Sequence, residues 1–278
     1  MIARRRGRLV GRYALHLVLI VGAVCMALPF LWMVLSSLKP PRQIFAIPFQ
    51  LFPSPLTFES YREIWTAVPL LRFFGNTVFI SVVGAATQTL MAAMAGYVFA
   101  RLRFPGRDLI FMLYLGTMML PEQITLIPRF LIVRALGWGD TYSALIVPFL
   151  GSPLSAFIMR QAFLDLPVDL EDSARIDGCS RFFILFRVIL PLSVPAISVV
   201  VVFTFMEHWN SFLWPLIVIH TRKLYTLQVG LSMLRSELDT NWGQLMAASV
   251  FSALPTLLLF FAAQKRFVEG ITLTGLKG

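Results

Sequence analysis

The feature that most constrains this chain is a recurring apolar run of about 20 residues, the length at which an α-helix crosses the hydrocarbon core of a bilayer. Six such runs occupy residues 15–35, 74–100, 109–133, 143–163, 192–219 and 245–263. Backbone amides in hydrocarbon have no water to bond, so each run must satisfy its own hydrogen bonds as a helix. The predicted fold is all-α, a polytopic membrane protein with six transmembrane helices forming one domain over residues 1–278. Composition agrees: 58% of the residues are hydrophobic, 14% are charged, and the mean hydropathy is +0.77. That is more apolar surface than a soluble core of this size needs to bury.

The net charge of +10 raises the question of nucleic acid, but the basic residues are scattered between apolar runs and form no face with interleaved aromatics. They read instead as topology. Six crossings leave both termini on one side, and Lys and Arg concentrate on the cytoplasmic side. Fifteen of them (among them Arg4, Arg5, Arg6, Arg8, Arg12, Lys265, Arg266 and Lys277) fall in segments on the side of the termini. Nine, including Arg129 and Arg134, fall on the other. Both termini and the loop 164–191 are therefore expected in the cytoplasm. The first run is too long for a typical secretion signal and lacks a small-x-small cleavage site, so it is expected to be retained. Cys25 and Cys179 have no metal-ligand spacing and are expected to be free thiols.

Catalytic motifs are missing from the sequence. It contains no Walker-type GxxxxGK[ST], HExxH or GxSxG, and its longest loops are too short for an independent soluble domain. In the loop before the second span, Thr57 is placed to cap a helix with Tyr61, Ile64, Trp65 and Val68 on one face, expected to lie on the outer leaflet.

Ionisable groups inside a bilayer are costly and mark function by default. The third span contains LPEQITLIP, where Pro121 and Pro128 remove helix donors beside Glu122 and Gln123; a broken helix facing a water-filled cavity and a plain kink both fit. The fifth contains FMEHWNSFLWP. Helical spacing puts Glu207, Asn210 and Ser211 on one stripe, with Trp209 and Trp214 beside it. Amides and carboxylates pair with sugar hydroxyls while aromatic faces cover the apolar side of the ring, so this stripe is a candidate translocation pathway. His208 is expected to be a packing hydrogen bonder. Gly84, Gln88 and Gly96 in the second span read mainly as helix packing, with Gln88 a weaker candidate for the cavity wall.

The loop 164–191 stands apart by its charge. EDSARIDGCS puts Glu171 and Asp172 in the first turn of a short helix, where the dipole favours carboxylates. Leu166, Leu170 and Ala174 make an apolar ridge, Gly178 is suited to a left-handed helix end, and Ser180 to capping a second helix that carries Phe182, Phe183 and Phe186. Such an acidic, ridged knob suits a partner's groove.

At this point the chain resembles the inner-membrane permease subunits of bacterial ABC importers. Their cytoplasmic signature is Glu-Ala-Ala, three residues, Gly, nine residues, Ile, one residue, Leu-Pro. Here the same spacing carries Asp172-Ser173-Ala174, Gly178, Val188 and Leu190-Pro191, with Asp172, Ser173 and Val188 departing in type. TFESYREIW, ARLRFPGRDLIF, LPEQITLIP, MRQAFLDLP, HWNSFLWPLIV and QKRFVEGITLTGLKG extend the resemblance over nearly the whole chain, toward the maltose-type carbohydrate class. The resemblance implies a non-enzymatic subunit that forms half the pathway for a sugar or sugar derivative. Its partners would be a second permease subunit, two copies of a cytoplasmic ATPase subunit, an extracytoplasmic sugar-binding protein and membrane lipid, with ATP and Mg bound on the ATPase subunits. It also implies that Glu171, Asp172, Ser173, Ala174, Arg175, Asp177 and Gly178 couple to the ATPase, and that the tail from Gln264 lies near the ATPase pair. Two other classes compete. An ion-coupled secondary transporter needs midplane coupling carboxylates and paired broken helices, whereas the in-span acids here are Glu122 and Glu207 without an evident repeat. A membrane-bound enzyme such as a lipid-linked glycosyltransferase would want clustered acids or metal ligands at one interface.

Overall fold

The structure, a computed structural model, describes residues 2–235 and 240–275, with side chains described for 15–235 and 240–264. The charged side chains of Arg4, Arg5, Arg6, Arg8, Arg12, Lys265, Arg266 and Lys277, and the tail beyond Gln264, lie outside the described side chains. The helices are α1 (Ile2–Ser37), α2 (Glu59–Ala67), α3 (Leu70–Arg101), α4 (Arg107–Gly116), α5 (Glu122–Ala135), α6 (Tyr142–Ile146), α7 (Pro153–Leu164), α8 (Asp169–Ile176), α9 (Arg181–Ile184), α10 (Leu190–Leu192), α11 (Val194–Asn210), α12 (Leu213–Val218), α13 (Leu227–Ser232) and α14 (Trp242–Gly275).

Leu15–Ser37, Leu70–Arg101 and Trp242–Gln264 are each long and apolar enough to cross a membrane unbroken. Three further stretches are long and apolar enough only when two helices bent against each other are taken together. Arg107–Met119 meets Glu122–Ala135 at 102°. Pro121 has no amide to donate and forces Leu120 into an extended conformation (ψ 119°). Pro128, expected to loosen the same span, sits inside α5 without breaking it. Tyr142–Phe149 meets Pro153–Leu164 at 48°, where Ser152 restarts the helix by accepting from the Ser155 amide, with Pro153 next.

The fifth span departs most from expectation. Arg181–Leu192 lies at 87° to Val194–Asn210, the turn falling at Ser193. A π-helical turn, Leu185–Ile189, precedes it. The span is not one helix over 192–219: α11 ends at Asn210 and α12 begins after Phe212. The proline ring of Pro215 would collide with the carbonyl four residues back, that of Ser211, and its missing amide would leave that carbonyl unbonded.

Contacts divide the chain into two units, Met1–Leu70 with Leu231–Leu254, and Leu71–Gly230 with Pro255–Gly278. In the first, α2 does not merely rest on a leaflet. Ile64 is buried, Trp65 meets Phe251 edge-on at 5.5 Å, and Glu63 accepts from the Gln244 amide at 2.9 Å. Thr57 does assist its start, accepting from the Glu59 amide. Lys39, fully buried, donates to the Gln50 carbonyl and lies 4.3 Å above the Trp32 ring.

In the second unit, α3 is the central strut. Gly96 lets it approach α7 so closely that a Cβ there would lie 2.8 Å from the Met159 Cβ. Its buried Ala92, Ala93 and Tyr97 pack with Met159, Phe163, Ile184 and Ile189. The corner between α5 and α6 is tied by Asp140, whose carboxylate accepts from the His220 and Thr221 amides at 2.6 and 2.7 Å. The Thr221 amide above all holds its carboxyl below the usual carboxylate range. A depressed folded value means this tie stabilises above the unfolded value near pH 4 and is lost as pH falls through the folded one. Amide-exchange protection at His220 and Thr221 is therefore expected to hold from pH 7 to about 4 and to fall below it, and Asp140→Ala should show the low-pH behaviour at pH 7. Unchanged protection in that variant would remove the tie.

Candidate functional site

The loop 164–191 is built around one buried ion pair. Leu166, Ala174 and Cys179 pack against the α3–α7 core, which fixes the inner face of α8; Leu170 of the expected ridge stays partly exposed. That face also carries Glu171, whose side chain is 1% exposed and lies 2.8 Å from the Nε of Arg101 at the end of α3. Tyr97 donates its hydroxyl to Glu171 at 3.2 Å, and Arg101 also donates to the Leu166 carbonyl at 2.7 Å. Arg101 thus holds both the entry of the loop and the helix that follows.

Asp172, one residue on and turned by about 100°, is 55% exposed and among the described side chains pairs with Arg175, at 3.3 Å. Arg175 spans both acids, reaching Glu171 at 3.5 Å. The two carboxylates therefore have different work. Glu171, grouped by sequence with the ATPase-coupling residues, is committed inside this chain as the anchor of α8. Asp172, Ser173 and Asp177 are exposed on its outer face.

Gly178 ends α8 as expected, at φ 79°. Its amide donates to the Arg175 carbonyl at 3.0 Å and the Cys179 amide to the Ala174 carbonyl at 3.0 Å, the paired bonds of a Schellman end. Ser180 then caps α9 by accepting from the Phe183 amide.

Within the spans, the candidate pathway residues separate into two groups. Glu122 and Gln123 in the first turn of α5, and Glu207 and Asn210 near the end of α11, are exposed. The Glu207 carboxylate accepts from Gln88 at 3.4 Å. Ser211 follows the end of α11 and does not continue its stripe.

Trp209 and Trp214 are buried and pack. Trp209 stacks on Phe205 at 5.6 Å and meets Phe74 edge-on, while Trp214 donates to the Ala144 carbonyl at 2.8 Å. Gln88 is buried too, bonding His208 at 3.1 Å. Gly84 leaves the space His208 fills, since a Cβ there would lie 2.5 Å from Nε2.

Arg129 was missed, having been counted as a loop charge. It lies within α5, 3.5 Å from Glu122, with its guanidinium 4.8 Å from the Phe149 ring centre and 5.5 Å from that of Trp214. Its position seven residues after Glu122, two turns along the same helix face, was the available signal.

Comparison with known proteins decides between the classes. Residues 88–272 match the family model described as binding-protein-dependent transport system inner membrane component. The chain belongs to this family. It is 35% identical over 270 residues, 96% of each chain, to the arabinooligosaccharides transport system permease protein AraQ of Bacillus subtilis. It is 32% identical to the lactose transport system permease protein LacG of Rhizobium radiobacter, over 91% of this chain and 92% of that one. Its fold matches a crystal structure of a bacterial ABC transporter involved in the import of the acidic polysaccharide alginate. The TM-score is 0.83 at 22% identity, over 91% of this chain and 94% of that one. This member of the family is an inner-membrane, multi-pass permease subunit of an ABC importer and not an enzyme.

Proposed function

We propose that this chain forms half of the pathway of an ATP-driven importer for a sugar or sugar derivative. A second permease subunit completes the pathway, two ATPase subunits carrying ATP and Mg engage the loop 164–191 in the cytoplasm, and an extracytoplasmic binding protein delivers the sugar. The excess of Lys and Arg on the side of both termini supports that orientation, and the names of the permease relatives support the substrate class.

The observation that carries the coupling role is the division between the two acids of α8. A rigid knob must be fixed to its own subunit and open to its partner, and Glu171 does the first while Asp172 is placed for the second. Closure of the ATPase pair would then displace α8 together with Arg101 and the end of α3 as one body, passing the movement to the helix that also carries Gln88, the partner of Glu207 and His208. Glu122, Gln123, Glu207 and Asn210 supply carboxylates and amides for sugar hydroxyls, with Ser211 at the end of that row. Arg129 belongs with them, offering its donors beside the Phe149 ring.

Co-purification with the neighbouring gene products and measurement of sugar-stimulated ATP hydrolysis tests this reading. Asp172→Lys should reduce the stimulated rate about tenfold by reversing the charge that the knob presents to its partner, with folding unaffected; wild-type stimulation would overturn the docking role of Asp172. Asn210→Leu should slow sugar uptake several-fold while the ATPase subunits still bind, and unchanged uptake rate and specificity would return that face to packing.

A further inference from the structure

Beneath α9 lies a cavity of about 240 Å³ that the coupling and pathway roles leave unused. Met94, Tyr97 and Val98 of α3, with Leu102 just past its end, form one wall, and Phe182 and Leu185 the other. Arg181 is the one charged residue among its described lining. We propose that it is a binding site for one acyl chain of an anionic phospholipid, with Arg181 holding the headgroup phosphate. The proposal rests on the cytoplasmic placement of the loop 164–191 given above.

Three observations favour lipid over a protein occupant. First, depth: Met94 to Leu102 covers about 12 Å along α3 and ends where α3 itself ends, at Arg101, so the cavity descends from the headgroup level into the hydrocarbon. Second, chemistry: an apolar slot with a single cation at its rim is complementary to an acyl chain under a phosphate, and the inner leaflet supplies anionic lipid to such basic, apolar sites between helices. Third, continuity: Phe182 lines the cavity yet is 71% exposed, and Arg103, next after Leu102, is exposed as well, so the slot opens onto an aromatic and basic rim.

The location gives the site a consequence. Tyr97 is at once cavity wall and hydrogen-bond donor to Glu171, the buried anchor of α8. An acyl chain in the slot packs against Tyr97, whose ring also meets Phe163 edge-on, and so stiffens the link between α3 and the coupling knob. Anionic lipid is then expected to raise the coupling of sugar binding to ATP hydrolysis.

The test uses the complete importer in nanodiscs of phosphatidylcholine with or without 20–30% phosphatidylglycerol (roughly the range at which anionic surface charge is appreciable). Native mass spectrometry after detergent extraction should find phosphatidylglycerol retained by the wild type and reduced about tenfold in Val98→Trp, which fills the slot, and several-fold in Arg181→Gln. Met94→Phe fills the same slot more mildly, and serves if the tryptophan variant does not assemble. Stimulated ATP hydrolysis should rise with phosphatidylglycerol in the wild type and not in these variants. A photo-reactive residue replacing Phe182 should attach to lipid. Equal retention by wild type and variants, equal retention of phosphatidylcholine, or attachment of Phe182's replacement to a partner subunit each overturns the lipid site. None of these outcomes touches the importer reading, which fails only if the wild type shows no sugar-stimulated hydrolysis.

Discussion

Glu171→Ala is expected to destabilise the folded chain by about 3–5 kcal/mol, the range found when one partner of a buried ion pair is removed. The carboxylate is 1% exposed and Arg101 only 6% exposed, so the variant leaves a guanidinium sealed from water with the Leu166 carbonyl as its remaining partner. Tyr97 loses its acceptor as well. Asp172→Ala, one residue away, removes an exposed contact to Arg175 and should cost no more than about 0.5 kcal/mol. A double variant, Arg101→Met with Glu171→Met, removes both charges together and should recover much of the loss, because the cost of the single variant is mainly the stranded charge and not the worth of the pair. Thermal unfolding of the protein in nanodiscs separates the cases. Equal midpoints for Glu171→Ala and Asp172→Ala would show that the two acids are not divided as the geometry has them.

This division was only half legible in the sequence. Two neighbouring acids in the first turn of a helix point to the positive end of a dipole, and a four-residue ridge of Leu166, Leu170 and Ala174 points to a buried face. Which acid shares that face depends on where α3 ends. Arg101 lies 70 residues before Glu171 in sequence, so no local pattern brings them together. The same limit explains the pathway residues. Glu122 and Gln123 could be placed because Pro121 acts on its own neighbours, and the end of α8 could be placed because Gly178 does. Trp209 and Trp214 could not, since whether an aromatic ring lines a cavity or fills a core is decided by the surface of another helix: Phe74 for one and Ala144 for the other. Hydropathy located the fifth span, but averaging over a window hid the break that Pro215 imposes at Ser211. The six runs themselves were the most legible feature, because burial in lipid is a property of each segment alone.

A series at Gly178 should order coupling by backbone conformation alone. A Cβ at this position would meet nothing within 4 Å in this chain, so substitutions there carry no packing cost inside the subunit, and their effects on the subunit report the left-handed φ of 79°. Asn adopts that conformation more readily than other residues with a side chain, and Gly178→Asn should keep stimulated ATP hydrolysis within about twofold of wild type. Gly178→Ala pays about 1–2 kcal/mol to hold the same φ, enough to populate frayed ends of α8 and lower the stimulated rate several-fold. Gly178→Pro fixes φ near −65° and deletes the amide that donates to the Arg175 carbonyl, so the Schellman end is lost in every molecule. Cys179 then cannot return its amide to Ala174, the start of α9 at Ser180 is misdirected, and the knob no longer presents Asp172 at a fixed angle. Stimulated hydrolysis should fall by tenfold or more on the order of energies set by such a backbone clash, while the six spans insert as before because none of them includes residue 178. The decisive comparison is Pro against Asn: similar coupling in both would mean that the end of α8 is not what the ATPase subunits read, whatever the stability of the variants.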